Sequence, residues 1–317
     1  MNLGLITLIK KKIVIMAIDM ENKKTDRIGE NLVINGDCIE AMHSIDSDTV
    51  DLTFFDPPFN QGKAYLNFDD EQPSEEYWKW IEEVLDLINK KSSAGASIYF
   101  MQREKNTEEV LRSLRKTGWA FQNLIIWRKM TSAVPSEIRY GKQFQIIVFA
   151  TKGDKPRVFN KLRANIPLPK NYKNERRNGV LMTDVWDDIR ELTSGYFAGD
   201  EAIRDKNGNR AHAQQSPLAL LLRIVLSSSL PGDMVLDPTA GTGVTATVAS
   251  QLKRKSISVE IDPNHFELIK KRLSSLRKAD DIVKLRAYYS PTEKLDDIWP
   301  FSRPLDDFLF DKQQVIA

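Results

Sequence analysis

Cysteine is all but missing. Cys38 is the single thiol in 317 residues, which excludes a disulfide framework and a thiolate metal cluster. Histidine is nearly as scarce: His43, His212 and His265 lie far apart and offer no structural zinc spacing. Long hydrophobic runs are also wanting. The apolar stretch Leu3–Ile9 is followed, not preceded, by Lys10–Lys12. A secretory leader needs the opposite order, and a membrane span needs about 20 apolar residues. A cytoplasmic protein without a membrane partner is expected, and Met16 or Met20 offers a second start that would make the residues before it an extension. Neither sign of charge prevails: 46 Lys and Arg face 44 Asp and Glu, so the net +2 decides nothing and the local distribution must be read. No internal repeat or low-complexity tract is present. The hydrophobic share of 41% suffices for a sizeable core.

Short apolar runs alternate with helical periods, the pattern of a parallel-sheet α/β protein. Strands are expected at Leu32–Asn35, Leu52–Phe55, Ser97–Met101, Phe121–Trp127 and Phe144–Ala150, with helices at Glu75–Lys90 and Asn106–Lys116. Between the last two strands there is no helical period, only Pro135 and Gly141, so they are expected to pair antiparallel. From Lys152 to Gly208 periodicity fades among prolines and glycines. It resumes with a helix Pro217–Ser228, a strand Met234–Leu236, a helix Gly243–Lys253, a strand Ile257–Ile261 and a helix from Pro263 to Lys278. The expected fold class is α/β: a mostly parallel, doubly wound sheet with one antiparallel strand and a loop-rich insertion. The chain divides into an extension (1–30), one half of the sheet domain (31–151), the insertion (152–210), the other half (211–279) and a tail without clear period (280–317).

Two motifs carry chemistry. Asp237-Pro238-Thr239-Ala240-Gly241-Thr242-Gly243 stands between a strand and a helix, where glycines let backbone approach a nucleotide-like ligand. Glu260, at the end of the next strand, suits ribose hydroxyls. Asp237 would repel the pyrophosphate of a dinucleotide and attract an ammonium and a sulfonium, which favours S-adenosylmethionine over NAD. The second motif is Asp56-Pro57-Pro58-Phe59, directly after an apolar strand. Two prolines fix φ and supply no N–H donor, leaving carbonyls to accept. A carboxylate, a free carbonyl and a ring suit a planar base bearing an amino group, stacked on Phe59 with its two amino protons on Asp56 and the Pro57 carbonyl.

Asp56-Pro57-Pro58-Phe59-Asn60 resembles the D-P-P-Y/F catalytic motif of DNA amino-methyltransferases, and Asp237 to Gly243 resembles their D-P-F-x-G-x-G cofactor motif, with Thr239 in place of phenylalanine. The catalytic motif comes first, with the insertion between, which is the order of the β class of that family and a circular permutation of the other motif order. The likeness runs over roughly residues 31–275. Asn35-Gly36-Asp37-Cys38 is similar to the family's G-D-C segment, which implies that Asp37 contacts the cofactor adenine. Val259-Glu260-Ile261-Asp262 resembles its ribose-binding strand end. Ala211-His212-Ala213-Gln214-Gln215-Ser216-Pro217 resembles H-P-T-Q-K-P; His212, Gln215 and Pro217 match, while Ala213, Gln214 and Ser216 depart. The resemblance implies a cofactor set of Asp37, Asp237, Thr239, Gly241, Thr242, Gly243, Glu260, His212 and Gln215, and a catalytic set of Asp56, Pro57, Pro58 and Phe59.

Methylation at cytosine C5 needs a thiolate nucleophile, and Cys38 lies outside any proline-cysteine segment, so an exocyclic amine is the expected acceptor. By resemblance, aspartate at the first motif position favours adenine N6; cytosine N4 is the alternative, and a DNA-binding regulator with a vestigial cofactor site is the rival from another class. A base inside a duplex must be flipped out to react, so double-stranded DNA is the expected partner. Between Thr151 and Asn178 the basic residues Lys152, Lys155, Arg157, Lys161, Arg163, Lys170, Lys173, Arg176 and Arg177 face only Asp154 and Glu175. All but Lys152 are the candidate DNA contacts, with Phe159 and Tyr172 interleaved. The resemblance leaves open a restriction–modification or a solitary role, a cognate restriction endonuclease, and a homodimer.

Overall fold

The computed structural model describes residues 24–63, 68–130, 137–166, 178–192, 199–204, 207–212 and 214–300. A first half supplies β1 (Lys24–Ile28), β2 (Asn31–Asn35), α1 (Cys38–His43), β3 (Val50–Phe55), α2 (Ser74–Lys91), β4 (Ser92–Arg103), α3 (Thr107–Lys116), β5 (Ala120–Arg128) and β6 (Phe144–Thr151). The insertion holds the two-residue strands β7 (Arg163–Ala164), β8 (Val180–Leu181) and β9 (Val185–Trp186). Next come α4 (Leu218–Ser228), β10 (Met234–Asp237), α5 (Val244–Gln251), β11 (Lys255–Glu260), α6 (Pro263–Ser274), α7 (Arg286–Tyr289) and α8 (Leu295–Ile298).

Among the described residues, nine strands form one sheet in the order β1-β2-β11-β10-β3-β4-β6-β5-β9. The run β2, β11, β10, β3, β4 is parallel, and β6 is antiparallel to both β4 and β5. The mostly parallel sheet and its reversed strand are therefore as the sequence predicts. β1 adds a second reversed strand at the far edge, paired antiparallel with β2. It escapes a pattern search because KTDRI neither alternates nor carries an apolar run; an edge strand needs neither.

The pleat sends alternate residues to opposite faces. Leu52, Phe54, Tyr99, Met101, Ile147 and Phe149 join one core with α4 and α5. Phe55, Ile98, Phe100, Ile146 and Val148 join another with α2 and α3. Apolar Tyr77, Ile81, Val84, Leu85 and Ile88 at helical spacing give α2 its buried face, and Glu75 and Glu76 at its start with Lys90 and Lys91 at its end complement the helix dipole. α4 is apolar nearly all round and correspondingly buried. Its one charge, Arg223, donates to Asp188 of the insertion and to the Tyr289 hydroxyl. The stretch after Asp280 is thus not featureless: its helices are only four residues long, too short to show a period, yet Tyr289, Ile298 and Trp299 are buried in the core beside α4. No described helix is long and apolar enough to cross a membrane.

Candidate active site

Three adjacent parallel strands, β11, β10 and β3, end in or just before acids: Glu260, Asp237 and Asp56. Ligands of open α/β sheets bind beyond such carboxyl ends. A cavity of about 800 Å³ opens there, lined by Asp56, Pro57 and Pro58 from one half of the chain and by Asp237, Thr239, Gly241, Thr242 and Glu260 from the other. Asp37, His212 and Gln215 line it too. The two motifs, far apart in sequence, meet at one crevice.

Asp56 is half-buried beside Asp237, and desolvation followed by that neighbouring charge pushes its carboxyl up to about 8. The Ser216 hydroxyl, 3.3 Å from Oδ2, opposes the shift, as do the nearby Lys129 and Lys63 amines. Lys129 itself, its Nζ 3.4 Å from the centre of the Trp127 ring, is lowered to about 8 by burial. The Pro58 carbonyl accepts from the Tyr77 hydroxyl at 2.7 Å, and Gln102 Nε2 in turn donates to that hydroxyl at 2.9 Å. The Pro57 carbonyl has no hydrogen-bond donor among the described residues.

The donor side is built by backbone amides converging on carboxylates. Glu260 accepts from Gly241 N–H at 2.7 Å and from Asp262 N–H at 2.9 Å, tying the glycine turn to the end of β11. Asp237 accepts from Thr245 Oγ1 at 2.5 Å and Thr239 N–H at 3.2 Å, and burial nonetheless raises it to about 7. Gly241 and Gly243 both take left-handed φ, +52° and +75°, but for different ends. Gly241 lines the cavity under the His212 ring; Gly243 lies outside it and lets Ile269 of α6 pack against the turn. Burial, followed by the neighbouring His265, lowers His212 to about 4. Its Nδ1 accepts from Gln214 N–H at 3.2 Å, so it is neutral with the proton on Nε2. Gln215 pins the neighbouring loop, accepting from Ile203 N–H and donating to the Glu201 carbonyl. Asp37 caps α1, accepting from Ile39 and Glu40 N–H groups. Buried Thr239 Oγ1, at the cavity wall, has no partner among the described residues.

Three expectations need correcting. Gly243, expected in the cofactor set, does not line the cavity, because its left-handed turn serves the close packing of Ile269. Phe59 is only 3% exposed and belongs to the core cluster, because an apolar ring just beyond the carboxyl end of β3 is better buried than left at the mouth; it does not line the cavity. Among the described residues the apolar rings that do are Phe54, Phe68 and Trp80, the last two 5.1 Å apart. Arg157 does not face the crevice either. Its guanidinium reaches Asp233 and Asp51, which stand at the amino ends of β10 and β3, so the charge is used within the fold. Arg163 donates to the Asn178 and Gly179 carbonyls. Lys155 and Lys161 are exposed. Lys170, Lys173, Arg176, Arg177 and Tyr172 lie outside the described residues. Lys63, Phe68, Trp80 and Tyr77 were not foreseen, and only the closeness of Lys63 to the D-P-P-F motif hinted at one of them.

Residues 50–271 match the family model described as DNA methylase. The chain is 29% identical over 267 residues to the DNA adenine methyltransferase YhdJ of Escherichia coli (strain K12), covering 80% of this chain and 87% of that protein. Among solved structures, the M1.HpyAVI–SAM complex superposes with a TM-score of 0.51 at 21% identity, covering 77% of this chain and 98% of that one. The cytosine-N4-specific PvuII DNA methyltransferase gives 0.58 at 18% identity, covering 82% and 91%. At such identities the structural likeness speaks for the fold.

Proposed function

The chain belongs to the DNA methylase family, and we propose that it transfers a methyl group from S-adenosylmethionine to the N6 amine of adenine in double-stranded DNA. The observation that carries this is the shared cavity, lined together by Asp56 from one half of the chain and by Asp237, Gly241 and Glu260 from the other. Its donor set suits this cofactor: buried carboxylates for cationic groups, a neutral His212, an unpartnered Thr239 hydroxyl, and backbone amides already taken up by carboxylates where a pyrophosphate would need them. Asp37, Asp237, Thr239, Gly241, Thr242 and Glu260 would hold it. Bound there, the cofactor supplies an electrophilic methyl on a positively charged sulfur, and that charge favours the ionised forms of Asp237 and Asp56.

The acceptor side follows from the chain's own groups. An exocyclic amine is a poor nucleophile because its lone pair is delocalised into the ring. Ionised Asp56 and the Pro57 carbonyl accept hydrogen bonds from its two N–H groups, raising electron density on nitrogen as charge develops in the transition state, and the methylated amine then sheds one proton to solvent. The prolines and the Tyr77 hydroxyl hold these acceptors fixed, so little reorganisation is needed. Ser216 orients the other side of the Asp56 carboxylate. Phe68 and Trp80 supply the apolar wall on which an extruded purine stacks. Adenine rather than cytosine is supported by the aspartate of the motif and by the adenine-methylating relative.

Incubation of the purified protein with unmethylated DNA and S-adenosylmethionine, followed by mass spectrometry of the nucleosides, tests both parts. N6-methyladenine is expected. N4-methylcytosine would overturn the choice of base, and a DNA without any new methyl group would overturn the activity.

A further inference from the structure

We propose that Asp70 is a positioning residue for methyl transfer, an internal anion around which the loop after the D-P-P-F motif is wound. Asp70 is 2% exposed. Its Oδ1 accepts from Asn60 N–H at 2.7 Å, and its Oδ2 from Gln61 at 3.1 Å and Lys63 at 3.0 Å. Its own carbonyl accepts from Gly62 N–H at 2.7 Å. Every amide from Asn60 to Lys63 therefore ends on one residue. Successive N–H groups converging on a point form an anion-binding nest, and here the anion is part of the chain.

The winding is not one the loop would adopt alone. Asn60 and Gly62 both sit in the left-handed region, at φ +52° and +69°, which costs a non-glycine residue such as Asn60 free energy without compensation. A second clamp repays part of it: Asn60 Nδ2 donates to the Gln72 carbonyl and Gln72 N–H donates to Asn60 Oδ1, both at 2.8 Å. What this geometry fixes is functional. Upstream the loop is continuous with Asp56 and the Pro57 carbonyl, and Pro58 is anchored to Tyr77. Downstream it sets Lys63 at the cavity wall, where its amine feels Asp70 first and Asp56 after it and opposes the upward shift of the Asp56 carboxyl. Phe68, just before Asp70, lines the same cavity. Asp70 itself does not line it, so its action is through the groups it holds.

The inference rests on the proposed methyl transfer, and the experiment separates the two. In Asp70→Asn one carboxylate oxygen becomes an NH₂ that faces backbone donors and cannot accept. Amide hydrogen exchange of residues 60–63 is expected to quicken at least about tenfold. The single-turnover rate of methyl transfer to DNA should fall about 10- to 100-fold, as expected when reacting groups are misplaced by about 1 Å. Donor affinity by calorimetry should stay within threefold, because the donor side hangs on Asp237 and Glu260. Unchanged exchange in the variant overturns the clamp even if the wild type transfers nothing, which would overturn only the activity. An unchanged rate, or a parallel loss of donor binding, refutes the positioning role. Should Asp70→Asn fail to fold, Asn60→Gly keeps the left-handed backbone but removes the pair with Gln72. It is expected to slow single-turnover transfer about threefold at unchanged donor affinity, and a rate equal to wild type counts against the proposal.

Discussion

Alanine at Gly241 and at Gly243 should separate ligand binding from stability within one turn. Both positions hold left-handed φ, so each alanine costs about 1–2 kcal/mol of backbone strain. They differ in what the new methyl meets. At Gly243 it would lie 2.7 Å from Ile269 Cγ1 and 2.9 Å from Cγ2, on a fully buried side chain of α6 that has nowhere to swing. Overpacking of that kind adds about 1–3 kcal/mol, for a total near 2–5 kcal/mol. At about 2–4 °C per kcal/mol for a domain of this size, Gly243→Ala should melt roughly 4–20 °C lower. At Gly241 the nearest atom is His212 Nε2 at 3.6 Å, an ordinary contact, so only the strain remains and the loss is about 2–8 °C by the same conversion. That methyl, however, stands in the cavity. Donor affinity should therefore drop tenfold or more in Gly241→Ala and change only a few-fold in Gly243→Ala. Scanning calorimetry and titration calorimetry on the pair give both quantities. Equal melting losses, or a weaker donor affinity for Gly243→Ala than for Gly241→Ala, would refute the division of labour between the two glycines.

Asp56→Ala should lower the single-turnover transfer rate at least about 10²-fold, the usual loss on removing a group that stabilises developing charge, with donor affinity within a few-fold; loss of both in parallel would make Asp56 a structural residue. With Asp56 raised to about 8 and Asp237 to about 7, transfer should speed up as pH rises through these values, measured as initial rate against pH. The folded protein then holds protons that the unfolded chain has released above pH about 4. Unliganded stability should accordingly decline as pH rises from about 4 to 8, and Asp56→Asn should flatten that decline; a slope that steepens in the variant contradicts the assignment. Arg157→Ala leaves Asp233 and Asp51 buried without their cation. It should cost about 1–3 kcal/mol by denaturant titration, less than the roughly 3–5 of a fully buried pair because the arginine is partly exposed. DNA affinity should be unaltered; a drop in affinity at unchanged stability would return Arg157 to the DNA interface.

The site was legible wherever chemistry and local backbone coincide. Asp56, Pro57, Asp237, Gly241 and Glu260 are acids, a carbonyl and a glycine placed by strand ends that the apolar runs already mark. Phe59 was not, because nothing local distinguishes a ring that points into the core from one that points into the crevice. Asp70 sits in the acidic stretch Asp69-Asp70-Glu71, which reads as solvated; its burial depends on amides ten residues upstream. Arg157 looks like one of many basic residues until β3 and β10 are laid side by side and two acids appear beneath it. The helices α7 and α8 were invisible for a simpler reason: four residues are a single turn, and one turn has no periodicity to detect.

The ion pair of Arg157 has a mechanical sequel. β3 and β10 come from opposite halves of the chain and neighbour each other in the sheet, and at their starts a single guanidinium grips an acid from each. The seam between the halves is thus riveted at its base and open at its lip, like the two jaws of a clothes-peg. In the proposed reaction an extruded nucleotide enters at the lip, among the loops that carry the reacting groups, while the ion pair keeps the spacing beneath them set.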